Sequence, residues 1–365
     1  MQHGEGVSVS AALHRLIRTA TARQGGWLPF DRFMALVLYA PGLGYYSRAI
    51  RPFGVLPSSG SDFVTAPELS PLFGRALARQ VGQALQASGA TEVWEFGAGS
   101  GALAAQLLAA LPDAIARYTI VDLSGSLRGR QRQTLAAHAH RVAWVDALPE
   151  RLRGVVVGNE VLDAMPVQLL HFDGSQWFER GVAIDADALR FADRPTDLRP
   201  PFEGAFVPGT TTEIHPQAQA FVATLGERLE SGAAFFIDYG FPAAEYYHPQ
   251  RHGGTLMCHR AHQADTDPLS EVGLKDITAH VDFTGIALAA QAAGFEVLGY
   301  TSQARFLMNC GLLELLQGAD LRTTANAQKL LTEHEMGELF KVIGLARGVE
   351  FDPVGFTTGD RTHTL

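Results

Sequence analysis

Near the start of the chain, apolar residues recur at helical spacing, with Ala12, Leu13, Leu16, Ile17 and Ala20 on one face until Gly25-Gly26 breaks the pattern. This predicts an amphipathic helix. A second helix is expected from Phe30 to Tyr39, closed by Pro41-Gly42, and a third from about Pro71 to Ala87. Between them, Gly44 to Ser61 carries Gly, Pro, Ser and two adjacent tyrosines, the composition of a loop laid over something else.

After this third helix, short apolar runs alternate with helical stretches. Strands are expected at Glu92–Phe96, Tyr118–Leu123, Val142–Val145, Val155–Gly158 and Ala234–Asp238, with helices after most of them. Such alternation predicts an α/β fold, a mostly parallel Rossmann-like sheet with helices on both faces. Val167 to Pro208 departs from it: Leu169-Leu170-His171-Phe172, an Asp173-Gly174 turn and Trp177-Phe178 predict inserted antiparallel hairpins. Beyond Gly299 helical spacing returns around Phe306–Leu316 and Ala327–Phe340. The expected organisation is a helical and loop segment over residues 1–75 lying on the ligand site, a Rossmann-like core over 76–300 with a β-rich insertion near 167–208, and a helical region over 301–365.

Composition narrows the function classes. With 365 residues, 47% of them hydrophobic, the chain can bury a substantial core. Its net charge of −9 argues against a general nucleic-acid binder and favours a cationic substrate. Cys258 and Cys310 stand far apart and outside any C-x-x-C pair, which speaks against a disulfide framework and for a reducing, cytoplasmic compartment. Met1 to Gly6 carries no basic-then-apolar leader, and no apolar run reaches the roughly 18 residues of a membrane span.

The run Val93-Trp94-Glu95-Phe96-Gly97-Ala98-Gly99-Ser100-Gly101 leads an expected strand through a glycine turn into an Ala/Leu-rich helix. Glycines let the backbone turn sharply and approach a ligand, and the first N–H groups of the helix are free to meet it. A strand-to-helix turn without ligand has the same residues. So does a dinucleotide site: Gly97-x-Gly99-x-x-Ala102 is a permitted fingerprint, and Asp122 stands about 20 residues on, where a ribose acid belongs. Glu95 favours S-adenosylmethionine over NAD, because an acid just before the first glycine suits a cationic amino group and sits badly beside a pyrophosphate.

Further acids follow the other strands. Asp122 is expected to accept the ribose hydroxyls, with a helix N-terminal acid as the alternative. Asp146 is either an acceptor for the adenine amino group or a turn aspartate. Asn159, Glu160 and Asp163 emerge directly from the apolar run Val155-Val156-Val157, at the edge where ligands of open α/β sheets sit, and are expected to face the transferred methyl group.

At these residues the chain resembles the MidA-like family of S-adenosylmethionine-dependent methyltransferases, which includes the mitochondrial arginine methyltransferase of complex I assembly. The resemblance runs from about Phe33 to Leu316 and rests on separated motifs in one order. They are Gly42-Leu43-Gly44-Tyr45-Tyr46, Asp62-Phe63-Val64-Thr65-Ala66-Pro67-Glu68-Leu69-Ser70-Pro71-Leu72-Phe73-Gly74, the glycine turn, Asn159 to Pro166, Asp238-Tyr239-Gly240, Gly254-Thr255-Leu256, His259-Arg260, Asp276 to Phe283 and Phe306-Leu307. The chain departs from the family pattern at Phe96 and at Asp122-Leu123-Ser124-Gly125, while the glycines and acids remain. The resemblance implies a class I methyltransferase fold, added N-terminal and C-terminal elements over the substrate, and Thr65, Pro67 and Glu68 as cofactor-side residues. A shared fold does not fix what is methylated.

The acceptor is expected to be an arginine of a partner protein, held by Glu160 with Asp163 or Asp282, with His280 as a proton acceptor; Asp282 as a helix cap is the alternative. No nucleic-acid partner is expected, and a homodimer is left open. His248, His252, His259 and His262 with Cys258 have zinc-type donors but match no standard finger spacing, so no metal is assigned; a loop lining the substrate cleft, with Tyr246 and Tyr247 as aromatic walls, explains them as well. A non-catalytic assembly factor that retains the cofactor, or an NAD(P)-dependent oxidoreductase, are the competing functions.

Overall fold

The computed structural model describes residues 2–47, 64–122, 125–261 and 263–365. Most of the expected 44–61 loop, Asp62-Phe63, Leu123-Ser124 and His262 lie outside the described residues.

The main path of the eight-stranded central sheet has seven strands, β1 (Glu92–Phe96), β2 (Arg117–Val121), β3 (Val142–Val145), β4 (Leu152–Asn159), β5 (Leu229–Phe241), β6 (Glu296–Ser302) and β7 (Phe340–Arg347), and the two-residue strand Val281–Asp282 pairs parallel with the end of β5. Their order is β6-β7-β5-β4-β1-β2-β3, with β7 antiparallel to both neighbours and the first five strands parallel. Period-two alternation explains the two covered faces. Val155 and Val157 point into one core with Phe73, Leu77, Leu103 and Leu107, whereas Val156 points into the other with Val222, Leu225 and Ile286. A strand apolar on every residue is stable only between two helical layers.

The chain steps outward from β1 to β3 and then returns to lay β4 on the other side of β1. This reversal opens a crevice at the carboxyl ends, the usual ligand position. In register, Phe96 pairs with Val121 and Gly158, Val121 with Val145, and Asn159 with Ile237. Hence Gly97, Asp122, Asp146, Glu160 and Asp238, each just beyond its paired neighbour, share one edge.

The expected insertion is present and larger than the sequence indicates. Gln168–Phe172, Trp177–Asp185 and Ala188–Pro195 form antiparallel pairs, extended by Thr211–Ile214 on one side and Trp27–Pro29 on the other. The helices Gln2–Arg23 and Phe30–Tyr39 pack on this insertion rather than on the central sheet, through Leu13, Ile17, Phe33 and Val37 against Val167, Leu169 and Val182. A three-stranded sheet, Gln263–Asp265, Met257–Arg260 and Asp276–Thr278, completes the β structure.

The C-terminal expectation needs correction. Residues 301–365 are not simply helical: Gln303–Asn309, Leu312–Leu315 and Leu321–Leu331 are helices, but Phe340 begins β7, which is inserted between β5 and β6. Phe340 to Ala346 is a short, wholly buried run, apolar except for Lys341, which periodicity alone cannot distinguish from a helix. No helix among the described residues is long and apolar enough to cross a membrane.

Candidate active site

A cavity of about 1270 Å³ opens at the carboxyl edge. Glu95, Gly97, Gly99, Asp122, Asp146, Asn159, Glu160, Asp163, Thr65, Pro67, Glu68 and His280 all line it, whereas Gly101 and Asp282 do not.

The glycine turn is built by left-handed backbone, with φ of 62° at Gly97, 52° at Gly99 and 85° at Gly101. A Cβ on Gly97 would stand 2.9 Å from Val161 Cγ2, so the turns after β1 and β4 approach closely where Gly97 has no side chain. Gly101 is the N-cap of the helix Ala102–Ala110, where a Cβ would make only ordinary contact with Gln131 Cα at 3.4 Å, so its left-handed backbone is what favours glycine there. Glu95 is buried and accepts the Tyr118 hydroxyl at 2.8 Å. Burial pushes its carboxyl up to about 8 against the pull of that hydrogen bond, so a nearby cation would favour its ionised form.

At the ends of β2 and β3, Asp122 Oδ2 accepts from Gln131 Nε2 at 2.7 Å, and Asp146 is mostly exposed and paired with Arg128. Thr65 precedes the short helix Ala66–Leu69. Gln106, on the helix after the glycine turn, donates to the Pro67 carbonyl at 2.8 Å and accepts from the Gly74 N–H at 2.9 Å, clipping this segment beside the cofactor edge. Glu68 lies 3.7 Å from Arg130.

Beyond β4 the chain bends at Glu160, whose φ of 54° is rare for a residue with a side chain. Asp238 holds the bend: its Oδ2 accepts the N–H groups of Val161, Leu162 and Asp163 at 3.0, 2.9 and 3.3 Å, and the Glu160 N–H donates to the Ile237 carbonyl at 2.9 Å. The Glu160 carboxyl is enclosed at the cavity wall, and burial together with Asp163 pushes it up to about 8, opposed by the Asn159 amide at 3.0 Å. Burial raises Asp163 to about 6, opposed by the Tyr239 hydroxyl. Asp276, from the small sheet, accepts from Tyr46 at 2.8 Å, and Tyr39 donates to the Ala164 carbonyl at 2.7 Å; Tyr39, Tyr46, Tyr239 and Asp276 all line the cavity. Among the described residues, Asn159 Oδ1 and Asp163 Oδ1 are buried without a hydrogen-bond partner, as suits a wall that meets a polar ligand.

His280 sits edge-on to Tyr239, with ring centroids 5.1 Å apart, and burial, reinforced by Arg251 and Lys341, lowers it to about 4, leaving it neutral near neutral pH. Asp282 belongs elsewhere: it caps the helix Phe283–Ala292 by accepting the Gly285 N–H at 3.1 Å. Among the described residues, the histidine-rich segment does not converge. His259 reaches the cavity, His248 caps the turn at Pro249–Arg251, and Cys258 is buried in the N-terminal core. Tyr246 and Tyr247 are not cavity walls; Tyr246 is buried against Glu213 at 2.9 Å and His215 at 3.1 Å. The missed residues are Asp238, Tyr239, Tyr39, Tyr46, Asp276 and Gln131. Tyr46, Asp238, Tyr239 and Asp276 stand inside the motifs that carry the family resemblance, whereas no such motif contains Tyr39 or Gln131.

Comparison with known proteins agrees with this geometry. A family model for S-adenosyl-L-methionine-dependent methyltransferases, Methyltransf_28, matches residues 76–301. The chain is 27% identical over 385 residues to human "Protein arginine methyltransferase NDUFAF7, mitochondrial", covering 88% of this chain and 80% of that protein. It is 25% identical over 333 residues to the Caenorhabditis elegans homolog, covering 80% and 74%. A Burkholderia thailandensis protein solved with S-adenosyl-homocysteine bound is 53% identical, with a TM-score of 0.95 over 99% of this chain and 98% of that one.

Proposed function

We propose, from the premise that this chain belongs to the Methyltransf_28 family of S-adenosylmethionine-dependent methyltransferases, that it methylates an arginine side chain of a partner protein. The enzyme class and the methyl donor come with the family, which sets the oxidoreductase reading aside. The observation that carries the arginine reading is the pair of enclosed carboxyls, Glu160 and Asp163, at the wall shared with the glycine turn. The name of the human relative supports the same acceptor.

The residues present fit the donor. The glycine turn lines the cavity with left-handed backbone that carries no side chain at Gly97 or Gly99 and so would let it approach closely, Glu95 would hold its amino group, and Asp122 would hold its ribose. When bound, it supplies a methyl group activated on a sulfonium centre. The protein's tasks are then positioning, which contributes several kcal/mol, and exclusion of water. A guanidinium has a pKa above about 12 and delocalised lone pairs, so it is a poor nucleophile until its charge is steered. Carboxylates at Glu160 and Asp163 would fix its plane and favour charge on the nitrogens that are not attacked. One N–H proton must leave as the N–C bond forms, and Glu160, at about 8 without ligand and driven to its carboxylate by the guanidinium charge, would receive it.

The test is methyl transfer from labelled donor to proteins of the source cell, with mass spectrometry of the product. Methylated arginine is the expected result; label on another residue overturns the acceptor, and no transfer by cofactor-bound protein favours an assembly factor. The proposal keeps the chain in a reducing, cytoplasmic compartment, on its two buried free thiols; the mitochondrial address is that of the curated relatives.

A further inference from the structure

We infer that Gln131 is a positioning residue that aims the Asp122 carboxylate at the cofactor's ribose, an inference that rests on the reading of Asp122 as the ribose acid. Gln131 lies on the helix Gly125–Thr134 and is fully buried despite its polar amide. Its Nε2 donates to Asp122 Oδ2 at 2.7 Å and to the Gly99 carbonyl at 3.1 Å, and its Oε1 accepts from Trp144 Nε1 at 2.9 Å. One side chain thus joins the glycine turn after β1, the acid after β2 and the middle of β3.

The chemistry of the partners fixes the amide. A carbonyl and a carboxylate oxygen only accept, and an indole N–H only donates, so the nitrogen must face Asp122 and Gly99 and the oxygen must face Trp144. Gln131 also packs beside the glycine turn, its Cα 3.4 Å from where a Cβ on Gly101 would stand. A neutral amide also suits the task. It orients one carboxylate oxygen without neutralising the charge, whereas a guanidinium in the same place would compete with ribose hydroxyls for the acid. The nearby cation, Arg128, donates instead to the Asp122 backbone carbonyl at 2.5 Å and to the Asp146 carboxylate.

If Gln131 only satisfied buried polar groups, its loss would lower stability without changing which ligand is preferred. The experiment therefore measures selectivity. Gln131→Met keeps the length and removes all three hydrogen bonds; Gln131→Glu keeps an acceptor for Trp144 but turns an oxygen towards Asp122, and serves alone should the first variant not fold. Calorimetry gives the affinities for S-adenosyl-homocysteine and for its 2′-deoxy and 3′-deoxy counterparts. The expected result is roughly tenfold weaker binding of S-adenosyl-homocysteine, with a much smaller loss for the deoxy ligands, so that ribose discrimination shrinks. Equal weakening of all three ligands, or parent-like affinities in a folded variant, overturns the inference. Asp122→Asn separates the two readings. Unchanged discrimination in that variant removes Asp122 from the ribose and this inference with it, whereas lost discrimination there, but not in the Gln131 variants, overturns the inference alone.

Discussion

The Tyr239 hydroxyl donates to Asp163 Oδ2 at the cavity wall, tying the end of β5 to the turn after β4. Burial holds the Asp163 carboxyl at about 6, and this hydrogen bond keeps it from rising further. In Tyr239→Phe the carboxyl should move up, so that a larger fraction is protonated and unable to hold a cation near neutral pH. The acidic limb of the pH–rate profile is expected to shift upward, with about a tenfold loss of kcat/KM below neutrality. An unmoved limb in a folded variant would argue against Asp163 acting on the acceptor.

Glu160 touches the acceptor rather than the donor in the proposed reaction. Glu160→Gln keeps size and hydrogen bonding but removes the charge. Donor affinity by calorimetry should change little, while methyl transfer falls by at least about a hundred-fold, roughly 2.7 kcal/mol of transition-state stabilisation. Full activity would remove Glu160 from the chemistry and leave the methyltransferase assignment standing.

Gly97 leaves no room for a side chain, given its φ of 62° and the 2.9 Å that would separate a Cβ there from Val161 Cγ2. Gly97→Val is expected to abolish binding of S-adenosyl-homocysteine by straining the left-handed backbone of the turn and pressing on Val161 at the cavity wall. Calorimetry on a variant that still unfolds cooperatively checks this, and parent-like affinity would place the donor elsewhere.

Glu95, at about 8, is mostly protonated near neutral pH until a cation arrives. Binding an amino group favours its carboxylate, so donor uptake should release protons near pH 7. Titrations in buffers of different ionisation enthalpy measure that release, and Glu95→Gln should abolish it. The same raised values have a stability consequence. Between the ordinary carboxyl range near 4 and about 8, the unfolded chain has lost protons that the ligand-free fold keeps at Glu95, Glu160 and Asp163, so stability falls as pH rises through that window. Glu95→Gln should flatten the fall in a thermal-unfolding series; an equally steep curve would mean that Glu95 titrates normally.

The sequence by itself determined the parallel core and one edge of the site, because both are local. An apolar run ending in a glycine or an acid places that residue at the carboxyl edge once strands align, so Gly97, Asp122, Asn159 and Glu160 were legible from their own neighbours. The tertiary structure decided whatever depends on distant segments meeting. Asp238 holds a bend that lies 77 positions earlier, and Tyr46 reaches an acid 230 positions away. Asp282 looked like a second acceptor ligand, yet the helix it starts turns its carboxylate to its own backbone. In β7, whether Phe340 to Ala346 coils or extends was settled only by the unpaired edges of β5 and β6: a buried backbone must find hydrogen-bond partners, and two waiting strands supplied them.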